Sequence, residues 1–180
     1  LALAAVEAFV GGDEPLSDEV VRAAFGAATS PGRLEVVRRS PTVVLDAAHN
    51  PHGARAAAAA LEDSFTFDPL VGVVGVMRDK DYTGVLEAFE PHLTHVVVTQ
   101  NSTPRAMPAR ELAAVAREVF GEDRVMVEPD LAAAIDKAAT LAEAGEALGT
   151  SIGAGAVLVT GSVVTVGEAR RMLVRERDER

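Results

Sequence analysis

Five polar turns hold the residues of this chain whose types could do chemistry. Asp46-Ala47-Ala48-His49-Asn50-Pro51-His52 sets a carboxylate and an imidazole three residues apart, just before an Asn-Pro pair suited to capping and starting a helix. Capping explains Asn50 and Pro51. It leaves Asp46 and His49 as either site groups or plain surface residues. Thr160-Gly161-Ser162-Val163 offers a hydroxyl and free main-chain N–H groups, an arrangement able to hold a carboxylate, or a Ser162 that merely caps the next helix. The other three are blander by themselves. Pro31-Gly32-Arg33-Leu34-Glu35 is a type II turn followed by an exposed Arg–Glu pair. Met77-Arg78-Asp79-Lys80-Asp81 is either part of a site or a loop of solvated charges ahead of an Asp81 cap. Gln100-Asn101-Ser102-Thr103-Pro104-Arg105-Ala106 has the composition of a surface loop.

The surrounding pattern predicts what positions these turns. Leu1 to Val10 reads as a helix stopped by Gly11-Gly12, and Ser17 caps a second helix running to about Ala28. These first thirty or so residues have helical patterning and little core of their own. Beyond the Thr29-Ser30-Pro31-Gly32 break come two short strands, Arg33 to Arg38 and Thr42 to Asp46, with a turn around Ser40-Pro41. Helices and strands then alternate: helix from His52 to Ser64, strand Leu70 to Val76, helix Tyr82 to Phe89, strand Thr94 to Thr99. Helix Pro108 to Phe120 follows, with its proline at the first helical position, then strand Arg124 to Val127, helix Leu131 to Leu148, strand Ala156 to Thr160 and helix Val163 to Val174.

Alternation at this spacing argues for parallel strands joined by right-handed crossovers. The apolar runs Val71 to Val76 and Val157 to Thr160 fit strands covered on both faces. The expected fold is α/β: a Rossmann-like three-layer sandwich with a mostly parallel sheet of about six strands, helices on both faces, and the first strand antiparallel at an edge. In such sheets ligands collect at the carboxyl ends of the strands. All five turns fall there, which points to a small anionic ligand or a phosphate.

Composition narrows the function. With 180 residues, 48% hydrophobic, 4% aromatic and no Trp, the core must be built from Ala, Val and Leu. A net charge of −10, with basic residues scattered and the Arg170 to Arg180 group interleaved with acids, argues against nucleic-acid binding. Absence of cysteine removes disulfides, thiol catalysis and Cys-based metal sites. No apolar run approaches the length that spans a bilayer, and the first ten residues lack the basic start of a signal peptide. A cytoplasmic location is expected, and a chain that does not begin with Met is expected to be a piece of something longer. The four histidines, His49, His52, His92 and His95, are not spaced as a zinc site, so no metal ligands are assigned. Gly149 to Gly155 precedes a strand instead of following one, so no dinucleotide fingerprint is present, nor is a Walker-type phosphate loop.

Taken in order, Pro-Gly-Arg-Leu-Glu at 31–35, Asp-Ala-Ala-His-Asn-Pro-His at 46–52, Asp-Lys-Asp at 79–81, Ser-x-Pro-Arg-Ala at 102–106 and Thr-Gly-Ser…Val-Gly-Glu-Ala-Arg at 160–170 carry a resemblance. Together they look like the C-terminal domain of the folylpolyglutamate synthase and dihydrofolate synthase family, within the Mur ligase superfamily. The resemblance implies an ADP-forming ligase that adds L-glutamate to a reduced folate through an acyl phosphate, using ATP and Mg2+. Residues 31–180 would be the glutamate ligase domain. Residues 1–30 would be a linker from, or the tail of, an N-terminal ATPase domain, which would hold the metal and without which this chain would be inactive. It further implies that Arg33 reaches the transferring phosphate as a catalytic and ATP-binding residue, and that Asp46 meets the ribose hydroxyls of ATP. His49, also catalytic, and Ser162 would hold the incoming glutamate, with Lys80 and Arg105 as further anion contacts. Val163-Val164-Thr165 departs from the Leu-Tyr common in that family after the Gly-Ser. The alternatives are a superfamily ligase with another amino acid and acceptor, or a non-catalytic Rossmann-like binding module.

Overall fold

The computed structural model describes residues 1–10, 15–147 and 154–178. The Gly11-Gly12 stop, most of the Gly149 to Gly155 loop and the last two residues of the Arg170 to Arg180 group lie outside the described residues. The chain folds as two compact units, Leu1–Pro31 and Gly32–Arg180.

The first unit holds α1 (Ala2–Val10) and α2 (Asp18–Ala27). Ser17 caps α2 by accepting a hydrogen bond from the Val20 N–H. Neither helix buries a residue, and Phe9 and Phe25 are exposed. An apolar groove of about 210 Å³ runs between them, lined by Leu3, Val6, Leu16, Val21 and neighbours. Two short helices leave one stripe each with too little to pack on, in keeping with the sparse core that the sequence predicts for this segment.

The second unit is a six-stranded sheet in the order β1-β2-β6-β3-β4-β5. Its strands are β1 (Glu35–Arg39), β2 (Thr42–Leu45), β3 (Phe67–Val74), β4 (His95–Val98), β5 (Val125–Val127) and β6 (Ala154–Thr160). β1 is antiparallel to β2 at the edge and every other pairing is parallel. The helices are α3 (Pro51–Ser64), α4 (Tyr82–Phe89), α5 (Ala109–Phe120), α6 (Leu131–Ala147) and α7 (Val163–Asp178). Among the described residues no helix is long and apolar enough to cross a membrane.

Strand residues alternate between two cores because successive Cβ atoms point to opposite faces. Val44, Val74, Val96, Val98 and Leu158 meet Ala57, Leu61, Leu86, Phe89, Leu112 and Ala116 from α3, α4 and α5. Val43, Leu45, Val71, Val73, Val97, Val157 and Val159 meet Ala134, Ile135, Ala138, Ala142, Val166 and Ala169 from α6 and α7. Small alanines on the helix faces let the helices approach closely, and this compensates for the scarcity of aromatics.

The three-layer α/β architecture, the antiparallel edge strand and the strand count are as the sequence predicts. Four boundaries differ in ways that bear on the site. β1 begins at Glu35, so Arg33 belongs to the turn before it. β3 begins at Phe67 and ends at Val74, so Gly75 and Val76 already belong to the next turn. β6 begins at Ala154, two residues early. Pro108 occupies the cap position of α5 and not its first helical position, leaving the Gln100 side chain to accept from the Ala109 N–H at 2.9 Å.

Candidate active site

The carboxyl ends of β2, β6, β3 and β4 lie side by side along one edge of the sheet, and all five turns meet there. β1 runs antiparallel to β2, with Glu35 opposite Leu45, so the Pro31 to Glu35 turn reaches the same edge by running into its strand.

That turn is tightly specified. Gly32 has φ +70° and is buried, and a Cβ there would lie 2.9 Å from a Val166 methyl. Leu34 is also left-handed, at φ 45°, a conformation that a bulky residue adopts only when its surroundings impose it. The surroundings are visible. The Ala47 N–H donates to the Gly32 carbonyl at 2.8 Å. Asp46 Oδ2 accepts from the Leu34 N–H at 3.1 Å, and Asp46 Oδ1 from the Ala48 N–H at 2.9 Å. Glu35 Oε2 accepts from the Gly32 N–H at 2.8 Å, while Arg170 Nε contacts both Glu35 oxygens at 2.9 and 3.0 Å. Arg33 stands between these anchors, exposed and without a hydrogen bond or ion pair among the described residues.

Asp46 is only 4% exposed. Both of its oxygens already take a main-chain N–H, so its evident work is to join the Arg33 turn to the start of the β2–α3 turn. His49 is half-buried, with Nδ1 3.0 Å from the Ala47 carbonyl. A carbonyl can only accept, so in the neutral ring Nδ1 carries the proton and Nε2 presents a lone pair. Asn50 caps α3, accepting from the Gly53 N–H at 2.8 Å with Pro51 at the first position, which is the structural half of the motif as predicted.

At the end of β6, Gly161 has φ +103° and its N–H donates to the Ala48 carbonyl, tying this turn to the His49 turn. Ser162 is 2% exposed. Its Oγ accepts from the Thr165 N–H at 3.0 Å and donates to Thr165 Oγ1 at 2.9 Å, so capping α7 is what the hydroxyl visibly does. Thr165 Oγ1 in turn donates to the Gly75 carbonyl and accepts from Asn101 Nδ2 at 3.1 Å. The 100–106 segment is therefore not a plain surface loop: Asn101 is 4% exposed and locks the β4 turn to the first turn of α7.

Sequence reasoning misses that network, and also Glu168, whose carboxylate accepts from the Ser102 hydroxyl at 2.6 Å and the Ser102 N–H. The signal is weak but present, in a Thr three residues after a helix-capping Ser and a Glu one turn further along. Thr160 closes β6 at the same edge. Its hydroxyl is buried with no hydrogen-bond partner among the described residues, an unusual cost for a polar group.

Lys80 and Arg105 lie on the β3 and β4 side of the edge, both beside Asp79. Arg105 Nη2 is 2.9 Å from each Asp79 oxygen, and Lys80 Nζ is 3.9 Å from one. The Arg105 hydrogen bond holds the Asp79 carboxyl below its ordinary 3.8, with the charges of Arg105 and Lys80 adding to it. Because the folded value is depressed, the contribution is present above about pH 3.8 and lost as pH falls through the folded value. Arg105→Ala is expected to return the Asp79 titration toward 3.8 in a carbon-detected carboxyl NMR experiment, and an unmoved titration would mean that the pair does not form in solution.

Residues 32–163 match the family of Mur ligase glutamate ligase domains. A dihydrofolate synthase/folylpolyglutamate synthase of Mycobacterium tuberculosis is 48% identical over 98% of this chain, which spans 37% of that relative's length. A crystal structure of M. tuberculosis folylpolyglutamate synthase complexed with ADP and AMPPCP superposes with a TM-score of 0.88 at 49% identity, covering 96% of this chain and 38% of that one. A bifunctional folylpolyglutamate synthase/dihydrofolate synthase of Yersinia pestis, complexed with AMPPNP and a Mn ion, gives 0.69 at 28% identity over 89% of this chain and 35% of its own.

Proposed function

Because this chain belongs to the family of Mur ligase glutamate ligase domains, we propose that it is the glutamate-side domain of an ADP-forming ligase that extends a reduced folate with L-glutamate. The chain spans about two fifths of the relatives' length, so ATP hydrolysis and most of the folate pocket are assigned to the rest of such a protein. One observation supports the reading above others. An exposed guanidinium, Arg33, unpaired among the described residues, is held on a left-handed turn at the same sheet edge as a histidine with a defined tautomer.

In this reading the γ-phosphoryl group of ATP passes to the terminal carboxylate of the folate, and ADP leaves. Arg33 neutralises charge on the transferring group, as preset donors do where charge develops. The glutamate amine then attacks the acyl carbon and inorganic phosphate departs. His49 Nε2 is the acceptor that meets the glutamate ammonium and orients or deprotonates it. Asp46 contributes mainly by setting the Arg33 turn, with only its remaining lone pairs to offer a ribose hydroxyl. For Ser162, main-chain N–H groups at the start of α7 suit a glutamate carboxylate better than its own committed hydroxyl. Lys80 and Arg105 would reach an anion only by sharing or leaving Asp79. The described residues contain no group of three or more His, Asp or Glu able to hold a metal, so the divalent ion, Mg2+ in this proposal, would be carried with ATP by the remainder of the protein. A cytoplasmic location belongs to the same proposal.

The test is glutamate-dependent ADP release by the full-length gene product, with and without tetrahydrofolate, alongside its His49→Ala variant. Release requiring both substrates, with KM for glutamate raised about tenfold or more by His49→Ala, is the expected result. ADP release indifferent to folate would move the protein to a ligase with another acceptor. An unchanged glutamate KM would remove His49 from the amino-acid site.

A further inference from the structure

The Arg33 side chain makes no hydrogen bond or ion pair among the described residues, yet both residues beside it are fastened through their main chain. On one side the Gly32 N–H is held by Glu35 Oε2, and on the other the Leu34 N–H is held by Asp46 Oδ2. The two carboxylates differ in support. Asp46 is buried and fixed by the β2–α3 turn. Glu35 is half-buried, on an edge strand, and a glutamate there has free rotamers unless something holds it. Arg170, from the middle of α7, contributes to that hold by placing Nε against both oxygens. The separation in sequence is 135 residues.

The energetic case separates positioning from stability. The Arg170 side chain is 39% exposed and that of Glu35 is 24% exposed, and pairs this accessible contribute little to the folding equilibrium. Their geometry nevertheless acts on a strained place. Leu34 at φ 45° and Gly32 at φ +70° flank Arg33; the glycine adopts its conformation freely, whereas the leucine keeps its own only where the surroundings over-determine it. Without Arg170, Glu35 loses the contact of Nε with both of its oxygens, its hold on the Gly32 N–H weakens, and the turn can relax. The backbone that carries Arg33 would then shift, and its guanidinium would start from a less fixed point.

We propose that Arg170 is a positioning residue for the ligase reaction: it acts through Glu35 to hold the Gly32–Leu34 turn and so sets where Arg33 stands. The inference rests on the role of Arg33 given above. It assigns a function to the Arg at the end of the 166–170 motif, and it makes α7 a brace between two loops, since Glu168 on the same helix holds Ser102.

The experiment uses the full-length protein and two readouts. Wild type, Arg33→Ala, Arg170→Ala, the double variant, Arg170→Lys and Glu35→Gln are compared for kcat of folate-dependent ADP release, and for amide hydrogen exchange across residues 32–35. Arg170→Ala and Glu35→Gln are expected to lower kcat roughly 10- to 100-fold, the range that misplacement by about 1 Å produces, with faster exchange at Gly32 and Leu34. Arg170→Lys should recover part of both. In the Arg33→Ala background Arg170→Ala should cost little more, because the group it positions is already gone. Equal fold-losses from Arg170→Ala with and without Arg33 would overturn the proposal, as would unchanged exchange and kcat in Arg170→Ala. An Arg33→Ala protein with full turnover would instead sink the role of Arg33, and the exchange data would still report whether Arg170 holds the turn.

Discussion

Arg33→Ala in the full-length protein is expected to lower kcat for glutamate- and folate-dependent ADP release by about 10²- to 10³-fold, the usual loss when one preset donor at a developing charge is removed. The same variant should melt within about a degree or two of wild type. Arg33 is exposed and makes no hydrogen bond or ion pair among the described residues, and such surface substitutions generally change stability by less than about 0.5 kcal/mol. A large loss of turnover with an intact fold separates a chemical role from a structural one. Arg33→Lys should recover only a fraction, since an ammonium lacks the rigid planar fork with which a guanidinium matches two phosphate oxygens. A decrease in kcat of threefold or less, with normal melting, would take Arg33 out of the mechanism.

The second large effect is on stability. Gly155→Ala should destabilise the sheet domain by about 3 kcal/mol, lowering its melting temperature in calorimetry by roughly 6–12 °C. β6 is paired on both sides, with β2 and with β3, so it cannot shift without disturbing both ladders. A Cβ on Gly155 would run into the carbonyl oxygen of Ala142 in α6, with the carbonyl carbon at 2.7 Å and the Cα at 3.2 Å. Backbone atoms have no rotamer by which to escape. Gly167→Ala is the matching control: it lies exposed in α7, an added Cβ there would meet nothing within 4 Å, and alanine favours a helix over glycine by up to about 1 kcal/mol. A neutral Gly155→Ala would show that α6 can move away from β6, and that the packing between them is looser than these distances imply.

The parts of the fold that are legible in the sequence follow from local rules. The helix Tyr82 to Phe89 is placed to the residue, because Asp81 is a strong cap and the apolar spacing is helical. The carboxyl end of β3 is harder. The apolar run continues through Gly75 and Val76, and hydrophobicity cannot show that the regular strand ends at Val74. Pro108 satisfies the rule for a first helical residue and sits one position earlier, because Gln100, eight residues back in sequence, supplies the capping acceptor from another turn.

For the site, the sequence by itself determined which chemical groups are present, the order of the five turns, and that four parallel strands and one antiparallel edge strand bring those turns to one edge. Only the tertiary structure decided which groups are spent on holding the others. Asp46, Ser162 and Arg105 look like ligands by type, and each is already engaged within the fold, Asp46 by Leu34 and Ala48, Ser162 by Thr165, and Arg105 through one nitrogen by Asp79. Asn101, Glu168 and Arg170 look like surface residues, and they tie the turns together over separations of 64, 66 and 135 residues. The reason is physical. Residue type and local spacing set what a side chain can bond, but a hydrogen bond depends on angles and distances of a few tenths of an ångström, and between distant segments these exist only once the sheet has formed.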